Sequence, residues 1–355
     1  MEAAHGRLHK RLHLKPDGRR LWLYGWRVHE GATGEELPPA PPPAPHARWH
    51  PLRSEWVVYA AHRQERTFKP PAEFCPLCPS AGNATPGEIP VRDFEIAVFE
   101  NRFPSFSPLA PEPPPLPLRT GRALGACEVI VYSAEHSGSL ASLPDERVRL
   151  LVEVWADRCR ELLARPEVVF AMPFENRGEQ VGVTLHHPHG QLYAFPFLPP
   201  VLKPMVEAFR QEAALERMME QMGSAYEVEG DANVSSFVPP CARFPFELWI
   251  APRRRVPGPW AFDAAEMASF ATALRRSLAR LDALFARPMP YIALLYAAPK
   301  GEEGHFHTHL QILPFLRAAE RLKYLAGCEQ GAGTFLADML PETMVERLRA
   351  AGETP

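Results

Sequence analysis

The sequence has no long apolar run. Its most hydrophobic stretch, YIALLYAA from Tyr291, is about half the roughly 20 residues that a membrane-spanning helix needs, so insertion as a helix is excluded. It also lacks a basic excess. Lys and Arg number 39 against 42 Asp and Glu, a formal charge of -3, without the positive field that duplex nucleic acid demands. The opening MEAAHGRLHKRLHLKPDGRR is polar throughout and has no signal-like apolar core, which predicts a cytoplasmic chain. Cysteine is sparse: in a reducing compartment the six present read as thiols or metal ligands, not as a disulfide framework. The 355 residues, 46% of them hydrophobic, are a soluble globular composition long enough for one large or two modest domains.

Proline, by contrast, is abundant. Many of the 41 fall in LPPAPPPAPHARW (37 to 49) and PSFSPLAPEPPPLPLR (104 to 119). Such segments are extended and poor in backbone donors, so they connect elements or wrap a surface.

The chain also repeats itself. In LHHPHGQLYAFP, His187, His189 and Gln191 have the spacing that His307, His309 and Gln311 repeat in HFHTHLQILPFL, 120 residues later. Glu128 and Glu247, each opening an apolar strand, are offset by 119. Helical periodicity follows both strands, over 142–164 and 262–285, with an acidic residue near each start. Each half then reads as strand, loop, long helix, strand and a strand bearing H-x-H-x-Q. The fold class is α+β, two copies of one unit, each an antiparallel sheet with a helix packed on one face.

On a strand His187, His189 and Gln191 project from one face. Pro188 cannot donate to a ladder and Gly190 lets a ligand come close, which predicts an edge strand or a site-forming terminus. A neutral imidazole is a competent nucleophile at phosphorus, and a glutamine amide can stabilise a non-bridging oxygen. The bland alternative is a pair of structural or metal-binding histidines. FCPLCPS places Cys75 and Cys78 in a C-x-x-C knuckle, whose two thiolates can share a tetrahedral ion, with a redox or incidental pair as the alternative. His136 and His187 are the histidines that neighbouring strands could add, giving one structural zinc per chain; His187 as a ligand would fix the strand that holds His189.

From Arg48 to Arg349 the sequence resembles the galactose-1-phosphate uridylyltransferases of the histidine-triad superfamily. The likeness rests on RWHPLRSEWVVYAAHRQER, the C-x-x-C, VFENRFP, VIVYSAEHS, FENRGEQVGVTLHHPHGQ, FPFELWIAP, HFHTHLQILP and LKYLAGCEQGAGTF. It implies two histidine-triad-like halves, 1–197 with the zinc and catalytic motifs and 198–355 with a hexose-binding segment. It implies ping-pong transfer of a uridylyl group from UDP-glucose to galactose 1-phosphate, with His189 as nucleophile and Gln191 on the phosphoryl. By the same resemblance, Asn176, Gly182 and Thr184 surround the phosphates, and Arg63 and Arg66 serve them. Leu77, Phe99, Asn101 and Val129 form the nucleoside pocket, and Lys323 and Glu329 contact the hexose. The matching zinc ligands are Cys75, Cys78, His136 and His187, and a homodimer is implied.

The chain departs from that pattern in places. The best-known members have an aspartate where this chain has Arg102, and an aromatic residue where it has Cys328; a glutamine is replaced near Phe335. These leave nucleotide and sugar identity open. Tyr296 and Met205 stand where some members place ligands of a second metal, so that site is expected to be absent and His307 and His309, with His305, to be structural. A nucleotide-sugar or dinucleoside-polyphosphate phosphorylase using the same histidine, and a zinc-stabilised nucleotide-binding module without catalysis, are the competing readings.

Overall fold

The computed structural model describes residues 7–65, 69–81 and 85–352. Its strands are β1 (His9–Leu14), β2 (Arg20–Gly25), β3 (His46–His50), β4 (Glu55–Tyr59), β5 (Ile96–Glu100), β6 (Thr120–Arg122) and β7 (Ala126–Val131). After helix α1 (Asp145–Leu163) come β8 (Phe170–Arg177) and β9 (His189–Phe195), then helices α2 (Leu202–Glu212) and α3 (Ala214–Met222). Next are β10 (Glu227–Gly230), β11 (Val234–Phe237), β12 (Leu248–Pro252), α4 (Ala264–Ala283), β13 (Tyr291–Tyr296) and β14 (His309–Pro314). A short hairpin, β15 (Leu316–Ala318) and β16 (Arg321–Leu322), and helix α5 (Pro341–Ala351) complete the order.

The chain divides into two compact units. One takes the described residues up to Gly138 with Glu153–Pro173 and Thr184–Met205; the other takes Ser139–Val152, Phe174–Val183 and the described residues from Val206 on. In the first, the strand order is β1-β2-β5-β7-β9-β8, antiparallel from β1 to β9, and β4-β3-β6 form a separate small sheet. In the second, β13-β14-β12-β11-β10 are antiparallel, and Phe174–Arg177 of β8 pairs with β13. The motif strand lies between its two partners in both units: β7-β9-β8 in one, β12-β14-β13 in the other. The helices and strands of the two copies start at Asp145 and Ala264, Phe170 and Tyr291, and His189 and His309, so the duplication read from spacing is an architectural one.

Local chemistry explains these elements. Asp263 caps α4, accepting from the Ala265 and Glu266 amides, while Glu266 returns a bond to the Asp263 amide; this satisfies donors that a helix start leaves orphaned. Met267, Phe270, Leu274, Leu278 and Leu281 then recur at helical spacing and are buried where the helix packs on β11 and β12. In β9 the alternation is strict: Gly190, Leu192 and Ala194 are buried while His189, Gln191, Tyr193 and Phe195 face a half-open side.

Of two expectations about the motif strand, one is narrowed and one corrected. β9 is interior, which removes the edge and leaves the other alternative, a motif at the strand's terminus. Its proline precedes the first paired residue, so no ladder donor is lost. And because pairing begins at His189, only His189 and Gln191 share the strand face, while His187 lies in the bend before it, 1% exposed. Among the described residues no helix is long and apolar enough to cross a membrane.

Candidate active site

Antiparallel register sets which side chains stand side by side. Across the first unit Phe99, Val129 and Gln191 are successive cross-strand partners, as are Ala97, Val131 and His189. His189 and Gln191 therefore rise from one face beside the apolar floor of β7 and β5. Phe99 and Val129 pack with Leu77 and Cys75 in one buried cluster, so three of the predicted nucleoside-pocket residues come together as that floor.

The His189 ring is oriented by its own backbone. Its Nδ1 lies 2.7 Å from the His187 carbonyl oxygen. A carbonyl only accepts, so Nδ1 carries the proton and Nε2 keeps its lone pair. Burial lowers the pKa of this histidine, with the bond to His187 opposing, and the ring is neutral at pH 7. A neutral, tautomerically fixed imidazole of this kind can attack phosphorus.

Arg63, in the turn Ala61–Glu65, donates from Nη1 to the Phe103 carbonyl, to Ser105 Oγ at 3.0 Å and to Tyr193 Oη at 3.1 Å. Tyr193 continues the His189–Gln191 alternation, so the guanidinium is carried on the same face as His189. The residue-type argument missed Tyr193, although period two alone marks it. Asn101 follows β5, and its Oδ1 accepts from the Phe103 amide. The Thr184 carbonyl accepts from the Lys69 amide at 2.8 Å. Arg66 lies outside the described residues.

Asn176 and Gly182 belong to the second unit. Asn176 sits on β8 opposite Ile292, and Gly182 has φ of 81°, a left-handed backbone that glycine adopts without strain. Lys323 and Glu329, also in that unit, form a buried ion pair at 2.8 Å, and the ammonium also donates to the Leu336 carbonyl.

Cys75, Cys78, His136 and His187 converge so that their ligand atoms all lie within 4.8 Å of one another. Cys78 Sγ is 3.3 Å from His136 Nδ1 and 3.4 Å from His187 Nδ1. Zinc bonds of about 2.3 Å to sulfur and 2.0 Å to nitrogen place such atoms about 3.5 Å apart on a tetrahedron. His187 Nε2 donates to the Ser133 carbonyl at 2.9 Å, which turns the Nδ1 lone pair toward the thiols. Burial, with the neighbouring Cys75, pushes the Cys78 thiol up to about 12, so a bound cation is what would make this pair thiolates. The cluster can hold a metal. The anchoring carbonyl of Ser133 had no sequence signal, since any residue supplies one.

Residues 41–199 match the family described as galactose-1-phosphate uridyl transferase, N-terminal domain. A galactose-1-phosphate uridylyltransferase of Thermotoga maritima is 35% identical over 85% of this chain and 97% of its own length. The chain belongs to the galactose-1-phosphate uridylyltransferase family. A Streptomyces lividans member is also 35% identical, over 82% of each chain. A solved uridylyltransferase superposes with a TM-score of 0.79 at 29% identity, covering 87% of this chain and 98% of that one. Within this family's fold, the departure at Arg102 acquires a partner: its guanidinium donates to the Pro38 and Pro39 carbonyls at 2.6 and 3.3 Å.

Proposed function

We propose that the chain is a nucleotidyltransferase that moves a uridylyl group from UDP-glucose to galactose 1-phosphate through a uridylyl-His189 intermediate. The observation that carries this reading is the Nδ1–H bond from His189 to the His187 carbonyl, which leaves Nε2 as a nucleophile beside Gln191. Nε2 attacks the α-phosphorus and the bond to the bridging oxygen breaks, releasing glucose 1-phosphate. The ring then bears a positive charge, and its Nδ1–H bond to the carbonyl strengthens as it develops. Gln191 donates to a non-bridging oxygen, and Arg63 faces the phosphates. A phosphate oxygen of galactose 1-phosphate next displaces the imidazole, restoring the neutral ring. One pocket thus serves two sugar phosphates in turn.

Asn176, Gly182, Thr184 and Arg66 are proposed around the phosphates, and Lys323 and Glu329 at the hexose. Halves 1–197 and 198–355, a homodimer and a cytoplasmic location belong to the same reading. Zinc is the proposed ion at Cys75, Cys78, His136 and His187. It holds His187, and through that residue's carbonyl the His189 ring, and takes no part in the transfer.

Two measurements test this. With uridine-labelled UDP-glucose and no acceptor, the label should become bound to the peptide 185–196 and be discharged by galactose 1-phosphate; discharge by inorganic phosphate alone would make the protein a phosphorylase, and no bound label would refute the mechanism. Elemental analysis should find about one zinc per chain, lost in Cys75→Ser; a metal-free wild type would refute the tetrad.

A further inference from the structure

The second H-x-H-x-Q motif opens a hydrogen-bond relay that can run in only one direction. The His307 carbonyl accepts only, so His309 donates to it from Nδ1, at 3.0 Å, and keeps a lone pair on Nε2. Gln311 can meet that lone pair only with its amide nitrogen, at 3.1 Å, which leaves its Oε1 to face elsewhere. Arg243 Nη2 donates to that oxygen at 3.3 Å. Because a guanidinium only donates, both ends of the relay agree on how the imidazole and the carboxamide between them are turned. Both are buried. The first copy has no such continuation: four residues before the paired glutamate, where the second copy has Arg243, it has Leu124.

The relay ends on the segment 323–336. The Arg243 guanidinium lies 5.1 Å from the centre of the Phe335 ring, within cation–π range, and Phe244 packs on the same ring at 5.7 Å. Glu247 fixes the backbone of both residues, accepting from their amides at 2.7 and 3.1 Å. The segment itself has almost no apolar burial. Of its residues only Lys323 and Glu329 are buried, and Tyr324 and Leu336 are 72% and 56% exposed. Beyond the bond of its first amide to the Phe315 carbonyl, it is held at two places. One is a polar knot, in which Glu329 accepts from Lys323 at 2.8 Å and from the Ala326 amide at 3.1 Å, and Lys323 also donates to the Leu336 carbonyl at 2.7 Å. The other is the ring of Phe335, the residue before Leu336.

We propose that Gln311 and Arg243 are positioning residues: the second motif sets the Arg243 guanidinium, which clamps Phe335 and so holds the Lys323–Glu329 pair in place for the hexose of both sugar substrates. The assignment of a hexose to that pair rests on the uridylyl-transfer reading. An arginine side chain has wide rotamer freedom, and a cation attracts a ring only from over its face. The Gln311 oxygen removes that freedom on one side and the ring on the other. With the clamp open, the Leu336 carbonyl no longer has a fixed place beside Lys323, and the ammonium and carboxylate lose their common geometry. UDP-glucose and galactose 1-phosphate both carry a hexose, and UMP carries none. A loosened segment therefore weakens the two sugar substrates and spares the nucleotide.

The test uses the full chain with Arg243→Leu, which installs the first copy's residue, Gln311→Leu, Phe335→Leu and the double variant of Arg243 and Phe335. Hydrogen exchange within 323–336, followed by mass spectrometry, is expected to be about tenfold faster in each variant while β14 keeps its protection. In steady state, kcat/KM for UDP-glucose and for galactose 1-phosphate should each fall about tenfold, and the inhibition constant of UMP should change less than twofold. The double variant should be no worse than Arg243→Leu alone, because both residues act through one contact. Phe335→Leu leaves the buried motif untouched, so the test stays decisive should Gln311→Leu fail to fold. Unchanged exchange or unchanged sugar kinetics in Arg243→Leu, additive losses in the double variant, or equal weakening of UMP and the sugar substrates overturns the clamp. Exchange needs no turnover: a wild type without transfer activity whose segment still loosens in Arg243→Leu leaves the clamp standing and removes only the transfer reading.

Discussion

The two H-x-H-x-Q segments share one backbone device and use it to opposite ends. In each, the first histidine donates from Nε2 to a carbonyl of a neighbouring segment, Ser133 in one copy and Pro252 in the other, at 2.9 and 2.8 Å. In each, the second histidine donates from Nδ1 to the carbonyl of the first, at 2.7 and 3.0 Å. The surroundings then diverge. His187 turns Nδ1 to two thiols, whereas His307 Nδ1 lies 3.5 Å from Glu216, which is also paired with Arg255, so a carboxylate and a guanidinium stand where the first copy gathers two cysteines and a second histidine. His189 is half-buried, and Gln191 is not bonded to it. His309 is 2% exposed, packed against Phe209, Trp249, Tyr296 and Phe306, and its Nε2 accepts from the Gln311 amide at 3.1 Å. The proposed nucleophile thus keeps an uncommitted lone pair on a half-buried ring, which the shared motif alone does not guarantee.

The sharpest way to break the comparison is to remove each second histidine. His189→Ala is expected to lower transfer by at least about 10⁴-fold, since no residual group can replace a covalent nucleophile, while its metal content stays intact. His309→Ala should keep its catalytic rate within about tenfold and lose stability by a few kcal/mol, because it empties a packed aromatic box. Parallel rate and denaturation measurements decide it; equal activity losses in both variants would make the copies functionally equivalent.

The paired glutamates that revealed the duplication give the next effect. Glu128, 0% exposed, accepts two bonds from the equally buried Arg158, at 2.6 and 2.9 Å, and Arg158 lies 3.8 Å over the Trp22 ring. Glu247 is as buried but accepts from the Arg243 and Phe244 amides and the Trp249 indole, with the half-exposed Arg243 guanidinium more distant, 3.9 Å from Oε1. Glu128→Gln leaves a guanidinium buried without its counter-charge and should cost about 3–5 kcal/mol in urea unfolding. Glu247→Gln removes charge from three neutral donors and from one half-exposed guanidinium at longer range, and should cost about 1–2 kcal/mol. Similar losses would mean that Arg158 finds compensation in Glu161, which it also pairs with.

How far the sequence could carry these distinctions depended on their range. Repeat spacing, helix periodicity and the C-x-x-C knuckle are local, and they located the duplication, both long helices and a cluster that the fold does close. The strand face of His189 and Gln191 was legible from period two. Its interior position was not, because Pro188 looks like an edge signal until the ladder is seen to begin one residue later. Nor could a sequence show that Glu216 faces His307, or that Arg102 reaches back to Pro38, since those contacts join residues that only the chain's packing makes neighbours. Backbone carbonyls such as Ser133 leave no trace in residue type at all.

The smallest expected difference is one of slope. Burial pulls His309 down to about 4 from an ordinary 6.5, the bond to His307 opposing. The folded state therefore favours the neutral ring, and the stability this represents is complete above pH 6.5 and is lost as pH falls toward 4. Between pH 7.5 and 5 the loss should be about 2 kcal/mol. Glu175, buried against Tyr291 and raised by burial to about 7, slopes the other way, with stability falling as pH rises from its unfolded value near 4.5 toward 7. The informative quantity is therefore the difference between wild type and His309→Gln, in which the Glu175 contribution cancels. That difference should shrink by about 2 kcal/mol on going from pH 7.5 to pH 5; a difference independent of pH would mean that the ring is hydrated in the folded protein, and the contrast with the first copy would then rest on the Gln311 bond alone.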